Sequence, residues 1–198
     1  MSTVHKGNAF EKQVFDYLQA ELAEENLFIP RKLSQIFQKK AYYSRDRENN
    51  IITDISIETS LPGATSYSLL TVVECKDYSG TIPVNDIEEF HAKVQQISGD
   101  NVKAIFITTA ALQKATLSYA QSKKIAVIRF LPDNQVRWLI YHMTPDMLEK
   151  QSRLNITEFT AAFLQQHHQG TNRNFYGCAG NHYYGSLYAL LKGFLNDE

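Results

Sequence analysis

A chain of 198 residues is long enough for one well-filled core, alone or with a small appendage. With 43% apolar and 21% charged residues it has the make-up of a globular protein, and its formal net charge of −1 excludes a polybasic, histone-like nucleic-acid binder. No run approaches the about 20 apolar residues that cross a bilayer, the start MSTVHKGNAFEKQ lacks a signal-peptide core, and Cys75 and Cys178 give no disulfide framework, so a cytosolic protein off the membrane is expected.

Phe10, Val14, Phe15, Leu18 and Leu22 recur at helical spacing and predict an amphipathic first helix, with Gly7 and Asn8 as its starters. The stretch from Leu33 to Tyr43 fits either a helix or irregular structure. Arg31, Lys32, Lys39, Lys40, Arg45 and Arg47 fall in one window whose only acid is Asp46, which reads either as a solvated basic loop or as a phosphate-binding surface. NNIITDISIE follows with β-branched residues, one strand through Ile51, Ile52, Ile55 and Ile57. Pro62 and Gly63 supply a turn, and LLTVVECK is the next strand, expected to pair with the one before it.

Asn85 with Glu88 three residues on resembles a capping box, opening a helix that carries Ile87, Phe90, Val94 and Ile97 and ends at Gly99. VKAIFITT and KIAVIRF are short, almost wholly apolar runs suited to strands covered on both faces, with a helical ALQKATLSYAQSK between them. The order predicts an α/β sandwich around a mixed sheet, its later strands parallel and joined by right-handed crossovers. Beyond a domain spanning 1–132, residues 133–198 are expected as a mainly helical extension: QVRWLIYHM as a strand, then helices starting at Thr144–Pro145 and at Asn155. His167, His168, Cys178 and His182 lack zinc-finger spacing, and the aromatics Phe175, Tyr176, Tyr183, Tyr184 and Tyr188 suit packing before base stacking.

Strand alternation points Glu74 and Lys76 to the same side, at the C-terminal end of an apolar strand, where open α/β sheets place their sites. Asp54 interrupts the Ile-rich strand expected alongside; a shifted register would put Asp46 or Glu58 there instead. The carboxylates of Asp54 and Glu74 and the backbone carbonyl of Cys75 make an all-oxygen pocket suited to Mg²⁺ or Mn²⁺ and unsuited to zinc. A lysine beside such an ion holds a water and stabilises charge on a phosphoryl oxygen, so the three groups share one natural task, phosphodiester hydrolysis.

TDISIE at Thr53 to Glu58 followed by VVECKDYSG resembles the PD-(D/E)xK nuclease superfamily. With GNAFEKQVFDYL before it, and IPVNDIEEFHAKVQQI and VKAIFITTAALQKATLSYAQSKKIAVIRF after it, the pattern is similar to the Mrr-like restriction endonuclease branch over about Gly7 to Phe130. Thr53 stands where that superfamily often has proline. The resemblance implies a restriction-endonuclease-like fold, with Asp54 and Glu74 as metal-binding carboxylates, Lys76 as the catalytic lysine and Glu11 as a supporting acid on the first helix. Gln95 and Gln96 fall near a glutamine frequent in this branch, and His91 and Lys93 share their helix. Lys39, Lys40, Arg45, Arg47 and Gln95 are the candidate substrate contacts. The expected activity is metal-dependent cleavage of DNA in defence against foreign DNA, by a homodimer, since one site cuts one strand. The competing readings are a nuclease-like fold kept as a nucleic-acid-binding module, and a nuclease for RNA or branched DNA.

Overall fold

The computed structural model describes residues 3–97, 101–131, 155–170 and 175–196. A seven-stranded sheet is built from β1 (Ser34–Gln38), β4 (Ile55–Thr59), β5 (Leu69–Lys76), β6 (Val102–Thr108), β7 (Ala126–Phe130), β8 (Phe175–Ala179) and β9 (His182–Tyr184), neighbours in that order. β5, β6 and β7 run parallel through two helical crossovers, α2 (Val84–Ile97) and α3 (Lys114–Ser122), while β1, β4, β8 and β9 pair antiparallel. This is the mixed sheet that the apolar runs at 69–76, 102–108 and 126–130 imply, because strands covered on both faces have no need of alternation.

Both faces are filled. Leu70, Val72, Phe106 and Val127 pack against Ile87, Phe90 and Val94 of α2, Leu117 of α3, and Phe159 and Phe163 of α4 (Ile156–Leu164). On the other face Val73, Ile105, Ile107 and Ile128 meet Phe10, Val14 and Leu18 of α1 (Thr3–Ala23) and Leu190 and Phe194 of α5 (Leu187–Leu195). The result is the expected α/β/α sandwich of restriction-endonuclease type.

Several local expectations need correcting. α1 begins at Thr3, so Gly7 and Asn8 lie within it. α2 begins at Val84, which puts Asn85 inside its first turn. The single strand expected through Ile51 to Ile57 is two. β3 (Asn49–Ile52) pairs with β2 (Ala41–Ser44) in a separate hairpin, and the chain crosses into the main sheet at Thr53 and Asp54. Backbone bonds make that crossing: Thr53 N–H donates to Lys40 O at 3.0 Å and Lys39 N–H to Asp54 O at 2.9 Å. The hairpin packs Tyr42 and Ile51 into the α2 side of the core, which gives a two-stranded ribbon the support it lacks alone.

After residue 131 the sheet continues. β8 pairs with β7, Cys178 opposite Val127, and all five of its residues are buried. α4 opens as expected, the Asn155 side chain accepting from the N–H groups of Thr157 and Glu158 at 3.0 and 3.3 Å. The strand QVRWLIYHM, the helix start at Thr144–Pro145 and Gly99 lie outside the described residues.

Candidate active site

The β4/β5 register pairs Ile55 with Val73, so the next positions outward, Asp54 and Glu74, stand opposite one another and share a side of the sheet. Asp54 is fixed there by its neighbour's backbone: Asp54 Oδ2 accepts the Cys75 N–H at 2.9 Å. In a strand the N–H and C=O of one residue face the same edge, so the Cys75 carbonyl is turned to the Asp54 side as well. The Cys75 side chain goes to the opposite face, against the α1 core. Burial, followed by the charges of Asp54, Glu11 and Glu74, pushes its thiol well above the ordinary range, which leaves only the backbone of Cys75 to serve the site.

Glu74 is 6% exposed. Its Oε1 receives the Lys76 Nζ at 3.0 Å and the Lys93 Nζ, from α2, at 3.3 Å. Burial pulls the Lys76 ammonium down, but the charge and hydrogen bond of Glu74, with Tyr78 and Asp54, outweigh it and the net direction is upward. Lys76 is therefore a charged donor at neutral pH. On the α1 side, Glu11 is buried at 4% exposure and accepts Gln38 Nε2 at 3.0 Å. The Lys39 Nζ joins the two groups, bound to Asp54 Oδ1 at 2.7 Å and to Glu11 Oε2. Burial again acts downward on Lys39, and its bonds to Asp54 and Glu11 carry it upward. Lys39 reaches this position from a backbone φ of +52, a conformation rarely taken by a residue with a side chain.

The structure thus brings Asp54, Glu74, Lys76, Glu11 and Lys39 together where the start of β4, the end of β5 and the middle of α1 meet. Lys40 points elsewhere, bound to Glu58 at 2.6 Å and lying 3.7 Å over the Phe37 ring. Arg45 is exposed on the β2–β3 turn, and Arg47 donates from Nε to Gln96 at 2.7 Å. Gln95 is not brought to the site. It is exposed and borders a cleft at the start of β6, because two residues along a helix turn it about 200° away from Lys93. Glu58 stands opposite Leu70, four residues down β5 from Glu74, and Asp46 lies on the hairpin turn, so neither takes the place of Asp54. Lys93 was one of several unassigned polar residues on α2. Its spacing, three after Phe90 and four before Ile97, both buried, sets it beside the covered face. Nothing in the sequence singles out Gln38, or Thr109, whose hydroxyl donates to Asp77 at 2.6 Å and pins the loop after Lys76.

Among the described residues, no three His, Cys, Asp or Glu side chains make a ready-built metal cage. Two carboxylates and a carbonyl are nevertheless the hard oxygen set that Mg²⁺ takes when water and substrate phosphate complete its shell. The two carboxylates already gather three ammonium groups, so the place attracts cations.

The Mrr_cat family model, described as restriction endonuclease, matches residues 6–131. Curated proteins give no match. Among solved structures, the crystal structure of a protein of unknown function, AF1548, is similar at 12% identity and a TM-score of 0.41, covering 56% of this chain and about half, 54%, of that one. On this family match the chain belongs to the Mrr-like restriction endonucleases of the PD-(D/E)xK nuclease type.

Proposed function

We propose that this nuclease is a divalent-metal-dependent endodeoxyribonuclease that acts in the cytosol against foreign DNA, two copies together cutting both strands. The observation that carries this is the Asp54 carboxylate tied to the Cys75 N–H directly across from Glu74, which holds Lys76. Asp54, Glu74 and the Cys75 carbonyl would hold Mg²⁺ or Mn²⁺. Such an ion supplies Lewis-acid polarisation of a phosphoryl oxygen and a more acidic water.

The protein's own groups do the rest. Lys76, kept protonated by Glu74, donates hydrogen bonds to the attacking water and to a non-bridging phosphoryl oxygen, whose negative charge grows in the transition state. The water oxygen bonds to phosphorus in line, giving up a proton to solvent, as the bond to the 3′ oxygen breaks; that oxygen takes a proton from solvent and leaves as a 3′-hydroxyl, and the phosphate stays on the 5′ end. Glu11 and Gln38 keep Lys39, and through it Asp54, in place. Arg45 and Arg47, on the neighbouring hairpin, are the proposed contacts to more distant phosphates.

Supercoiled plasmid incubated with the protein and Mg²⁺ should be nicked and then linearised, EDTA should abolish both products, and Lys76→Ala should reduce the rate by about 10²-fold or more. Retained DNA binding with no metal-dependent product would favour a binding module. Faster cleavage of RNA or of four-way junctions than of linear duplex would move the substrate assignment and leave the chemistry intact.

A further inference from the structure

The starts of β5 and β6, where Leu70 stands opposite Val102, lie at the far end of the sheet from Glu74 and Lys76. There α2, the beginning of β6, the turn from α3 to β7, the β8–β9 turn and the end of α5 border an open cleft of about 820 Å³. Among the described residues its lining includes Lys103, Lys123, Lys124, His91 and His182, and no aspartate or glutamate. Lys123 and Lys124 are exposed, and Lys124 carries φ +53 at the end of α3, a position that glycine fills with less strain. The lining also includes the buried apolar residues Val94, Ile125 and Phe194, so polar and apolar surface are mixed in it. Gln121 and Asn181 add side-chain amides that both donate and accept.

A concavity walled by one sign of charge concentrates ions of the other. The volume falls within the range of about 300–1,000 Å³ usual for small-molecule sites, which pair an apolar lining with a few convergent polar groups. Inorganic anions have no use for the apolar residues, and a purely apolar ligand none for the lysines. We propose that this cleft is a second site, separate from the nuclease centre, that binds a nucleoside phosphate, its phosphate on Lys123 and Lys124 and its base beside Phe194. Two of the five walls, at Ala179–His182 and Gly193–Phe194, lie beyond the family-matched 6–131, so the C-terminal strands and helix complete the site. A free nucleotide and the terminal nucleotide of a DNA strand offer the same chemistry.

Calorimetric titration of the full chain in EDTA with ATP, dAMP, inorganic phosphate and a 5′-phosphorylated hexanucleotide tests this. One nucleoside phosphate should bind saturably, at least tenfold more weakly in the Lys123→Glu/Lys124→Glu variant and with unchanged affinity in Glu74→Gln. Asn181→Trp, which crowds the mouth without changing charge, should weaken binding likewise; thermal melts confirm that each variant folds. Tighter binding of ATP or dAMP than of the hexanucleotide assigns the cleft to free nucleotides, and the reverse to a strand end. The proposal is overturned if no nucleoside phosphate binds saturably, if both cleft variants bind as the parent does, if phosphate alone binds as tightly, or if Glu74→Gln is the variant that loses binding.

Discussion

Glu74→Gln should lower metal-dependent plasmid nicking by about 10²–10³-fold while duplex binding in EDTA persists. The amide keeps the shape of the side chain and one acceptor oxygen, but removes the negative charge that two ammonium groups share at 3.0 and 3.3 Å. Lys76 then keeps only the more distant charge of Asp54 and Lys93 only Glu89 at 3.7 Å, and the opening opposite Asp54 loses one of its anionic groups. Single-turnover cleavage, with a melting curve to confirm the fold, measures the effect. A variant that nicks at the parental rate would remove Glu74 from the chemistry.

Arg129→Met should destabilise the protein by about 3 kcal/mol or more, a fall in melting temperature of about 6–12 °C for a chain of this size. Arg129 is 1% exposed, and burial pulls its guanidinium down to about 10, Tyr176 opposing. Among the described residues it holds no carboxylate. Its Nε donates to Thr109 O at 3.1 Å, Nη1 to the carbonyls of Ala162 and, at 2.9 Å, Gln165, and Nη2 to Gln166 O at 3.3 Å. Three of these carbonyls belong to the end of α4 and the residues just after it, the negative pole of that helix, which favours a cation held there in the interior. Methionine fills much of the volume and leaves the carbonyls orphaned, and Arg129→Lys should rescue only part because one ammonium cannot span four acceptors. The same segment reaches the loop after Lys76, where Gln166 Nε2 donates to Ser79 O at 2.9 Å. Residues 155–170 are thus bound to the nuclease core by polar contacts as well as by Phe159 and Phe163, and the melt should remain a single transition.

What could be read from the chain depends on how locally each feature is encoded. β5, β6 and β7 are nearly unbroken apolar runs, and the side shared by Glu74 and Lys76 follows from strand alternation alone. β1 and β2 were hidden because SQIFQKKAYYS mixes glutamine and lysine among aromatics, the signature of strands at a sheet edge and in an outlying hairpin with one face towards water. Four isoleucines from 51 to 57 suggested one strand. The break at Thr53 and Asp54 comes from backbone bonds to Lys39 and Lys40, which only the tertiary structure supplies. Gln95 and Lys93 illustrate helix phase: an uncertainty of two residues chooses which side chain reaches Glu74. β8 is short and carries Gly177 at its centre, so FYGCA shows neither a long β-branched apolar run nor a period of two.

The account rests on two carboxylates sharing one divalent ion, and titration of the full chain with Mn²⁺, followed by electron paramagnetic resonance, tests that most directly. The parent should show one saturable site that Asp54→Asn and Glu74→Gln each abolish. Mn²⁺ bound equally well after either substitution would contradict it.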